Sequence, residues 1–126
     1  MTWYAAHIIM AIRTIEGGQG PIPVYENVFL IEASDRKEAV DKARKIGKEE
    51  ALIDDKGTLN GKPAKWVFAG VRKIVSISNP YEHDPDQDRL RPIDGTEITY
   101  SKFEVADEVA IKRLAKSEEV EVVYIE

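Results

Sequence analysis

The sequence predicts an α+β fold in which a mainly antiparallel five-stranded sheet is covered on one face by two helices. Apolar residues alternate along five short segments, two further segments repeat apolar residues at helical spacing, and a glycine-rich link joins the first two strand segments. These three observations give the element order ββαββαβ. Because 126 residues is an ordinary length for one folding unit, we expect a single domain over residues 1–126.

The first strand is predicted from an apolar run near the start of the chain. Alternate residues of a strand point to opposite faces of its sheet. Both sets are mainly apolar here: one contains Tyr4, Ala6, Ile8, Met10 and Ile12, and the other Trp3, Ala5, His7, Ile9 and Ala11. A strand that is apolar on both sides is covered on both sides, so we expect it in the centre of the sheet.

The second strand and the first helix follow a link rich in glycine and proline at residues 13–23. A short link of this composition predicts an antiparallel hairpin, with its second strand at Val24–Ala33. Ser34 or Asp35 is the expected N-cap of the helix, and Gly47 suits the left-handed position just past its end. The apolar stripe of this helix contains Ala39, Val40, Ala43 and Ile46.

The outer face of this helix is strongly basic. Glu38 and Lys42, and likewise Asp41 and Lys45, are spaced to form ion pairs along the helix, which favours a solvated face. An acidic partner or RNA docked on the same face is the alternative interpretation, and its binding would weaken steeply with added salt.

The third strand is predicted at Lys65–Ile77, again apolar on both faces. Trp66, Phe68, Gly70 and Ile74 are expected on one face, and Val67, Ala69, Val71, Val75 and Ile77 on the other. A glycine such as Gly70 inside a strand predicts a bulge or a close approach of another backbone. A long surface loop is then expected at residues 78–95, where no periodicity is found.

The last three predicted elements are a strand, a helix and a strand. The segment Thr96–Val105 is polar at alternate positions, which is typical of an edge strand. Asp107 is the expected N-cap of a second helix, whose basic residues gather near its C-terminus. A final strand is predicted at Glu119–Ile125.

Composition excludes several classes of function. The absence of cysteine excludes disulfides and thiolate metal sites and favours the cytoplasm. A formal net charge of −5 argues against non-specific nucleic-acid binding, which depends on cationic contacts to phosphate. The apolar run near the start has its first basic residue, Arg13, behind it, so it lacks the order of a secretory signal and is too short to cross a bilayer.

No catalytic, metal or cofactor site is predicted. Asp84, Asp86 and Asp88 have the spacing of a calcium loop, but Arg89 and Gly95 stand where that loop requires glycine and glutamate. The serines lack the sequence context of a nucleophile, and a lone strand histidine such as His7 is more often structural than catalytic. We therefore expect no catalytic residues, no metal and no cofactor.

Two short helices do not cover both faces of a five-stranded sheet, so some apolar sheet surface is left over. We expect a second copy of the chain to cover it, through an interface that includes Trp3, Ile9 and Phe68. The 78–95 loop is the main rival for this role. The sequence thus favours a non-catalytic homodimeric module that binds proteins; the alternative is a small ligand-binding protein or enzyme with a pocket between sheet and loop, lined by His7, Trp66, Arg72 and Tyr100.

Several short motifs resemble a family of small bacterial proteins classed as a domain of unknown function. They are Trp3-Tyr4-x-Ala6, Ile31-Glu32-Ala33 before a helix that ends Ile46-Gly47, Trp66-x-Phe68-x-Gly70-Val71, and Asp94-Gly95-Thr96-Glu97 with Ser101 and Phe103 after it. The resemblance covers most of the chain. It implies no catalytic residues, and it sets apart residues 107–126 as an extension.

Overall fold

The computed structural model describes residues 1–17, 20–53, 57–59, 61–80 and 91–125. Among these residues no helix has the length and apolar character needed to cross a membrane. Their helices and strands are, in chain order, β1 (Thr2–Thr14), β2 (Val24–Ala33), α1 (Arg36–Ile53), β3 (Gly57–Leu59), β4 (Lys62–Ile77), β5 (Lys102–Glu104), α2 (Glu108–Ala115) and β6 (Val123–Ile125).

The main sheet is antiparallel and has four strands in the order β2-β1-β4-β3. β1 therefore lies inside the sheet, as the apolar character of both its faces predicts. Tyr4 is paired with Ile31 of β2 on one side and with Ser76 of β4 on the other. The predicted α+β class and the antiparallel hairpin of β1 and β2 are confirmed.

Helix α1 begins at the predicted cap. The backbone N–H of Glu38 donates to Asp35 Oδ1 at 2.8 Å, and the N–H of Ala39 donates to the Asp35 carbonyl at 3.1 Å. Asp35 thus satisfies donors of the first turn that have no partner within the helix. Ser34 has a different role, because its hydroxyl donates to the Glu38 carboxylate.

The predicted end of this helix at Gly47 is wrong, because α1 continues to Ile53. Gly47 lies inside the helix, where the ring of Phe68 packs directly against its backbone. A Cβ atom at this position would overlap the ring atoms Cδ1 and Cε1 of Phe68. The glycine is therefore explained by close helix–sheet packing and not by a left-handed cap.

The hydrophobic core lies between α1 and one face of the sheet, which we call the helix face. The predicted stripe of α1 is confirmed, since Ala39 and Ala43 are fully buried and Val40 and Ile46 pack against the same cluster. The sheet contributes Tyr4, Ala6, Ile8, Met10, Ile31, Ala33 and Ile74 to this cluster.

Strand β4 contains two irregularities that change which side chains share a face. His7 and Ile8 are paired with Lys73 and Val71, so Arg72 is an extra residue at a bulge. A second register shift follows between Ile9 and Met10, next to Gly70, where a bulge or close approach was predicted. Because of these shifts, the expected alternation is wrong at two positions. Gly70 is paired with Ile9 and does not share a face with Trp66, Phe68 and Ile74, whereas Val71 packs against the core with those three residues.

The five-stranded ββαββαβ arrangement with both helices on one face is not matched. The segment predicted as a strand at Thr96–Val105 is a strand only at Lys102–Glu104, and it pairs with β6 in a separate two-stranded sheet. The unpredicted strand β3 instead adds to the main sheet. Among the described elements, α1 packs on the four-stranded sheet and α2 does not. The predicted cap of α2 is confirmed, because Asp107 Oδ1 accepts from the N–H of Ala110 at 2.9 Å.

Candidate functional site

The face of the sheet opposite α1, which we call the second face, has a buried histidine at its centre. His7 is 2% exposed. It is paired with Val28 of β2 on one side of β1 and with Lys73 of β4 on the other. It points away from the hydrophobic core because its place in the alternation of β1 is opposite to that of Ile8. A buried imidazole needs partners for both ring nitrogens, since leaving a polar atom unpaired in the interior is costly.

Both ring nitrogens of His7 have such partners. Nδ1 lies 2.6 Å from Glu26 Oε2, and Nε2 lies 2.5 Å from the hydroxyl oxygen of Thr99. An ionised carboxylate only accepts hydrogen bonds, so Nδ1 is the protonated nitrogen when Glu26 is charged. Nε2 of the neutral ring then accepts from the Thr99 hydroxyl.

Arg72 places a positive charge beside this pair. Its Nε atom is 3.7 Å from the second carboxylate oxygen of Glu26, and both side chains are mostly buried. Its guanidinium carbon lies 3.8 Å from the centre of the Tyr124 ring, within the range of a cation–π interaction. The β4 bulge at Arg72 is what gives this side chain its position between Glu26 and Tyr124.

Residues near the C-terminus cover the centre of the second face through side-chain contacts. Thr99 binds His7, the Tyr100 carbonyl accepts from the Lys73 ammonium group, and Tyr124 lies under Arg72. The Lys73 nitrogen is also 4.7 Å from the centre of the Tyr100 ring. These groups, and not a second helix, cover the sheet here.

The outer part of the second face, on strand β2, is open and apolar. Val24 and Leu30 are 58% and 54% exposed, and Val28 lies exposed between them. The Pro23 carbonyl accepts from the N–H of Ile12, and backbone groups of alternate residues point to opposite sides of a strand. The N–H and C=O groups of Val24, Glu26, Val28, Leu30 and Glu32 therefore point outward, away from β1.

One of these outward groups already has a partner. The ammonium group of Lys42 donates to the Glu32 carbonyl at 2.6 Å. A lysine that covers the end of an edge strand in this way limits how far another strand can pair with it. The open stretch of the edge therefore ends before Glu32.

The structure separates the residues of the predicted pocket. His7 and Arg72 meet through Glu26, and Tyr100 lies close by through Lys73. Trp66 does not belong to this group, because it faces α1, where its ring packs edge-on against Tyr25 at 5.1 Å. Most of the 78–95 loop, including the acidic residues 84–88, lies outside the described residues.

The predicted interface residues are divided in the same way. Trp3 and Ile9 lie on the second face and are partly buried, whereas Phe68 packs on the helix face against Gly47. The grouping of Phe68 with Trp66 and Ile74 is correct, but placing Phe68 on the uncovered face is wrong, because alternation alone does not decide which set of side chains faces the helix. In the part of the chain that the structure describes, no three His, Cys, Asp or Glu side chains are grouped to hold a metal ion.

The site also contains Glu26, Lys73 and Thr99, which the sequence does not predict as site residues. Glu26 was detectable, since hairpin pairing places it beside Ile9 and on the same face as His7. Thr99 had no such signal, because 92 positions of sequence separate it from His7.

Fold and site together define a small α+β domain whose second face combines a buried histidine cluster with an open apolar edge. Residues 3–98 match the family model described as a domain of unknown function (DUF4288), and the chain belongs to that family. The predicted resemblance to such a family is therefore confirmed. The match includes the four-stranded sheet and α1 and stops just before Thr99, so β5, α2 and β6 lie beyond it. No curated protein and no solved structure matches the chain significantly.

Proposed function

We propose that this protein is a non-catalytic, homodimeric protein-interaction module of the cytoplasm, in which two copies meet along the edge of β2. The observation that supports this proposal is the open outer edge of a ten-residue strand with exposed Val24, Val28 and Leu30. The cytoplasmic assignment rests on the absence of cysteine.

An edge strand of this kind is a ready template for pairing. Its outward N–H and C=O groups are available to another strand, and soluble proteins usually protect such edges with charged residues, proline or bulges. Here Lys42 protects the Glu32 carbonyl, whereas the stretch from Val24 to Leu30 presents apolar side chains. Pairing would bury these side chains and satisfy the outward backbone groups in one step.

A second copy is the simplest partner for this edge. Two antiparallel copies of one strand are related by a two-fold axis, and two-fold homodimers are the commonest assemblies of soluble proteins. On the helix face α1 packs most extensively on β4, which lies on the far side of β1 from this edge. The predicted interface residues Trp3 and Ile9 lie next to this edge on the second face, and Phe68 is not included.

Light scattering coupled to size-exclusion chromatography tests the assembly. We expect the mass of two chains at micromolar concentration. Leu30→Lys should raise the dissociation constant about tenfold or more, because it introduces a charge at the apolar edge. Leu114→Lys, a matched change at an exposed leucine of α2, should remain dimeric. A wild-type protein that is monomeric throughout the micromolar range would rule out the proposal.

The second candidate function is that of a small ligand-binding protein or enzyme, and the His7 cluster is the observation that favours it. The Thr99 hydroxyl lies on Nε2 of His7, and the Glu26 carboxylate lies on Nδ1 of the same ring. This arrangement activates a hydroxyl nucleophile for acyl transfer. In that reaction the Thr99 oxygen attacks an acyl carbonyl while His7 takes the hydroxyl proton. His7 then donates the proton to the leaving group, and water releases the acyl group from Thr99 with His7 as base.

A fluorophosphonate probe tests this candidate directly, because it labels activated hydroxyl nucleophiles. Under this candidate, mass spectrometry finds the label on Thr99 in the wild type, and His7→Gln and Thr99→Val abolish it. Thr96→Val, in the same segment, should label like the wild type. A chain that stays unlabelled after prolonged exposure to the probe excludes acyl transfer by Thr99.

A further inference from the structure

We infer that the second copy pairs with β2 in the antiparallel register centred on Asn27, so that Val28 of the partner subunit lies beside Glu26, the carboxylate that binds His7. This inference rests on the proposed homodimer and specifies its register. In this register the partner copy adds a residue to the His7 cluster.

The outward backbone groups restrict the registers that are possible. Hydrogen-bonded pairs in an antiparallel ladder form between outward-pointing residues of the two strands. On β2 these are Val24, Glu26, Val28, Leu30 and Glu32. In each possible register, the residue at the two-fold axis faces its own copy, and it is either one of these outward residues or the residue between two of them. The longest pairings are therefore centred on Asn27, Val28 or Phe29.

Charge disfavours the register centred on Phe29. It places Glu26 of one copy directly opposite Glu32 of the partner subunit, twice in each dimer. Like charges directly opposite each other across two strands are destabilising.

The contact of Lys42 disfavours the register centred on Val28. That register brings Val24 of one copy opposite Glu32 of the partner subunit, whose carbonyl already accepts from a Lys42 ammonium group. Each end of the ladder would lose this contact or remain incomplete.

The register centred on Asn27 avoids both conflicts. It pairs the strand from Val24 to Leu30 with the same stretch of the partner, and it leaves Glu32 with Lys42. Val24 meets the partner's Leu30, so the two most exposed apolar side chains of β2 cover each other. On the helix face, Tyr25 meets the partner's Phe29, and cross-strand aromatic pairs stabilise a sheet. The two Asn27 side chains face each other across the axis, where their amides can exchange hydrogen bonds.

The same register affects the His7 cluster. Glu26 keeps part of its side chain exposed in a single copy. With the partner's Val28 beside it, this carboxylate loses contact with water, while its hydrogen bond to His7 and its contact with Arg72 remain. Glu26 thereby links the formation of the homodimer to the His7 cluster of the second face.

Cysteine substitutions show which residues of the two copies face each other, because the natural chain contains no cysteine that could compete for a disulfide. Asn27→Cys places two thiols at a non-hydrogen-bonded pair, where the Cα atoms lie about 4.5 Å apart and a disulfide can form. Val28→Cys is the matched control, since its two Cα atoms lie roughly 8 Å apart in this register, beyond the reach of a disulfide. Under mild oxidation we expect Asn27→Cys, and not Val28→Cys, to give a covalent dimer.

Hydrogen exchange of the unsubstituted protein gives a second measurement. The outward amides of Val24, Glu26, Val28 and Leu30 should exchange at least tenfold more slowly in the dimer than in a diluted, monomeric sample. Crosslinking through Val28→Cys alone, or a dimer in which neither variant crosslinks and these amides exchange freely, overturns the inference. A wild-type chain that light scattering shows to be monomeric overturns the proposed homodimer itself.

Discussion

On the helix face of the four-stranded sheet, β1 packs Ala6, Ile8 and Met10 against α1, and all three are fully buried. On the second face the same strand presents His7, whose partners Glu26 and Thr99 come from a neighbouring strand and from a distant segment. The helix face is held by non-directional apolar burial against α1, whereas the centre of the second face, around His7, is held by a few directional polar contacts. One strand thus contributes to two kinds of stabilisation, and only the second kind depends on individual atoms being in place.

Adjacent isoleucines of β1 provide the largest contrast between the faces. Ile8→Ala removes a fully buried side chain from the core and should lower the free energy of unfolding by about 2–5 kcal/mol. Ile9→Ala, the matched change on the second face, should cost less than half as much because Ile9 is only partly buried. Chemical denaturation measures both. Equal losses would show that the second face is as tightly packed as the helix face.

The packing of Gly47 against Phe68 tests how closely α1 approaches the sheet. Gly47→Ala should lower stability by about 1–3 kcal/mol, because overlap with the ring outweighs the higher helix propensity of alanine. The cost of Gly47→Ala should fall sharply in a Phe68→Ala background, where the ring is absent. A stabilising Gly47→Ala in the wild-type background would mean that helix and sheet are less closely packed than the structure shows.

The contact between Thr99 and His7 tests the second face by itself. Thr99→Val keeps the side-chain shape but removes the hydroxyl, and it should cost about 1–2 kcal/mol because it leaves Nε2 of a buried histidine without this partner. Hydrogen exchange should increase in residues 96–101 while the amides of β1 and α1 stay protected. Ser101→Ala, at an exposed position of the same segment, should change neither quantity.

The smallest effect concerns the start of α1. The hydrogen bond from Ser34 and that from Lys42 lower the pKa of Glu38 below its ordinary value of 4.5. Since the folded state has the lower pKa, the stabilisation is present above pH 4.5 and is lost as the pH falls through the folded-state pKa. In Glu38→Gln the free energy of unfolding should therefore fall less steeply with acidification below pH 4.5. Ser34→Ala should reproduce most of this change. An unchanged slope in both variants would contradict this role of Ser34.

Local signals in the sequence predicted the elements whose cause is local. Asp35 and Asp107 cap their helices as expected, because a cap is decided by the few residues that follow it. The stripe of α1 and the central place of β1 also follow from periodicity alone. Gly47 and the residues around Arg72 were misassigned, because a close approach and a bulge depend on what lies across the sheet.

The candidate site shows the same division more strongly. The sequence predicts His7 and Arg72 in one pocket, but that predicted pocket also contains Trp66, which packs on the helix face. Glu26 joins His7 through strand pairing, and Thr99 joins it across 92 positions of sequence. A contact between residues so far apart in sequence produces no periodic pattern in either segment, so sequence periodicity does not predict it.

The sequence by itself determined the α+β class, the helix starts, the antiparallel hairpin and the apolar character of both sides of β1. Each of these follows from propensity and spacing within a short window of residues. Only the tertiary structure decided that Phe68 packs on Gly47, that Val71 turns toward the core, and that Thr99 covers His7. These outcomes depend on which segments meet in space, and steric fit and the pairing of buried polar atoms between distant residues settle that question.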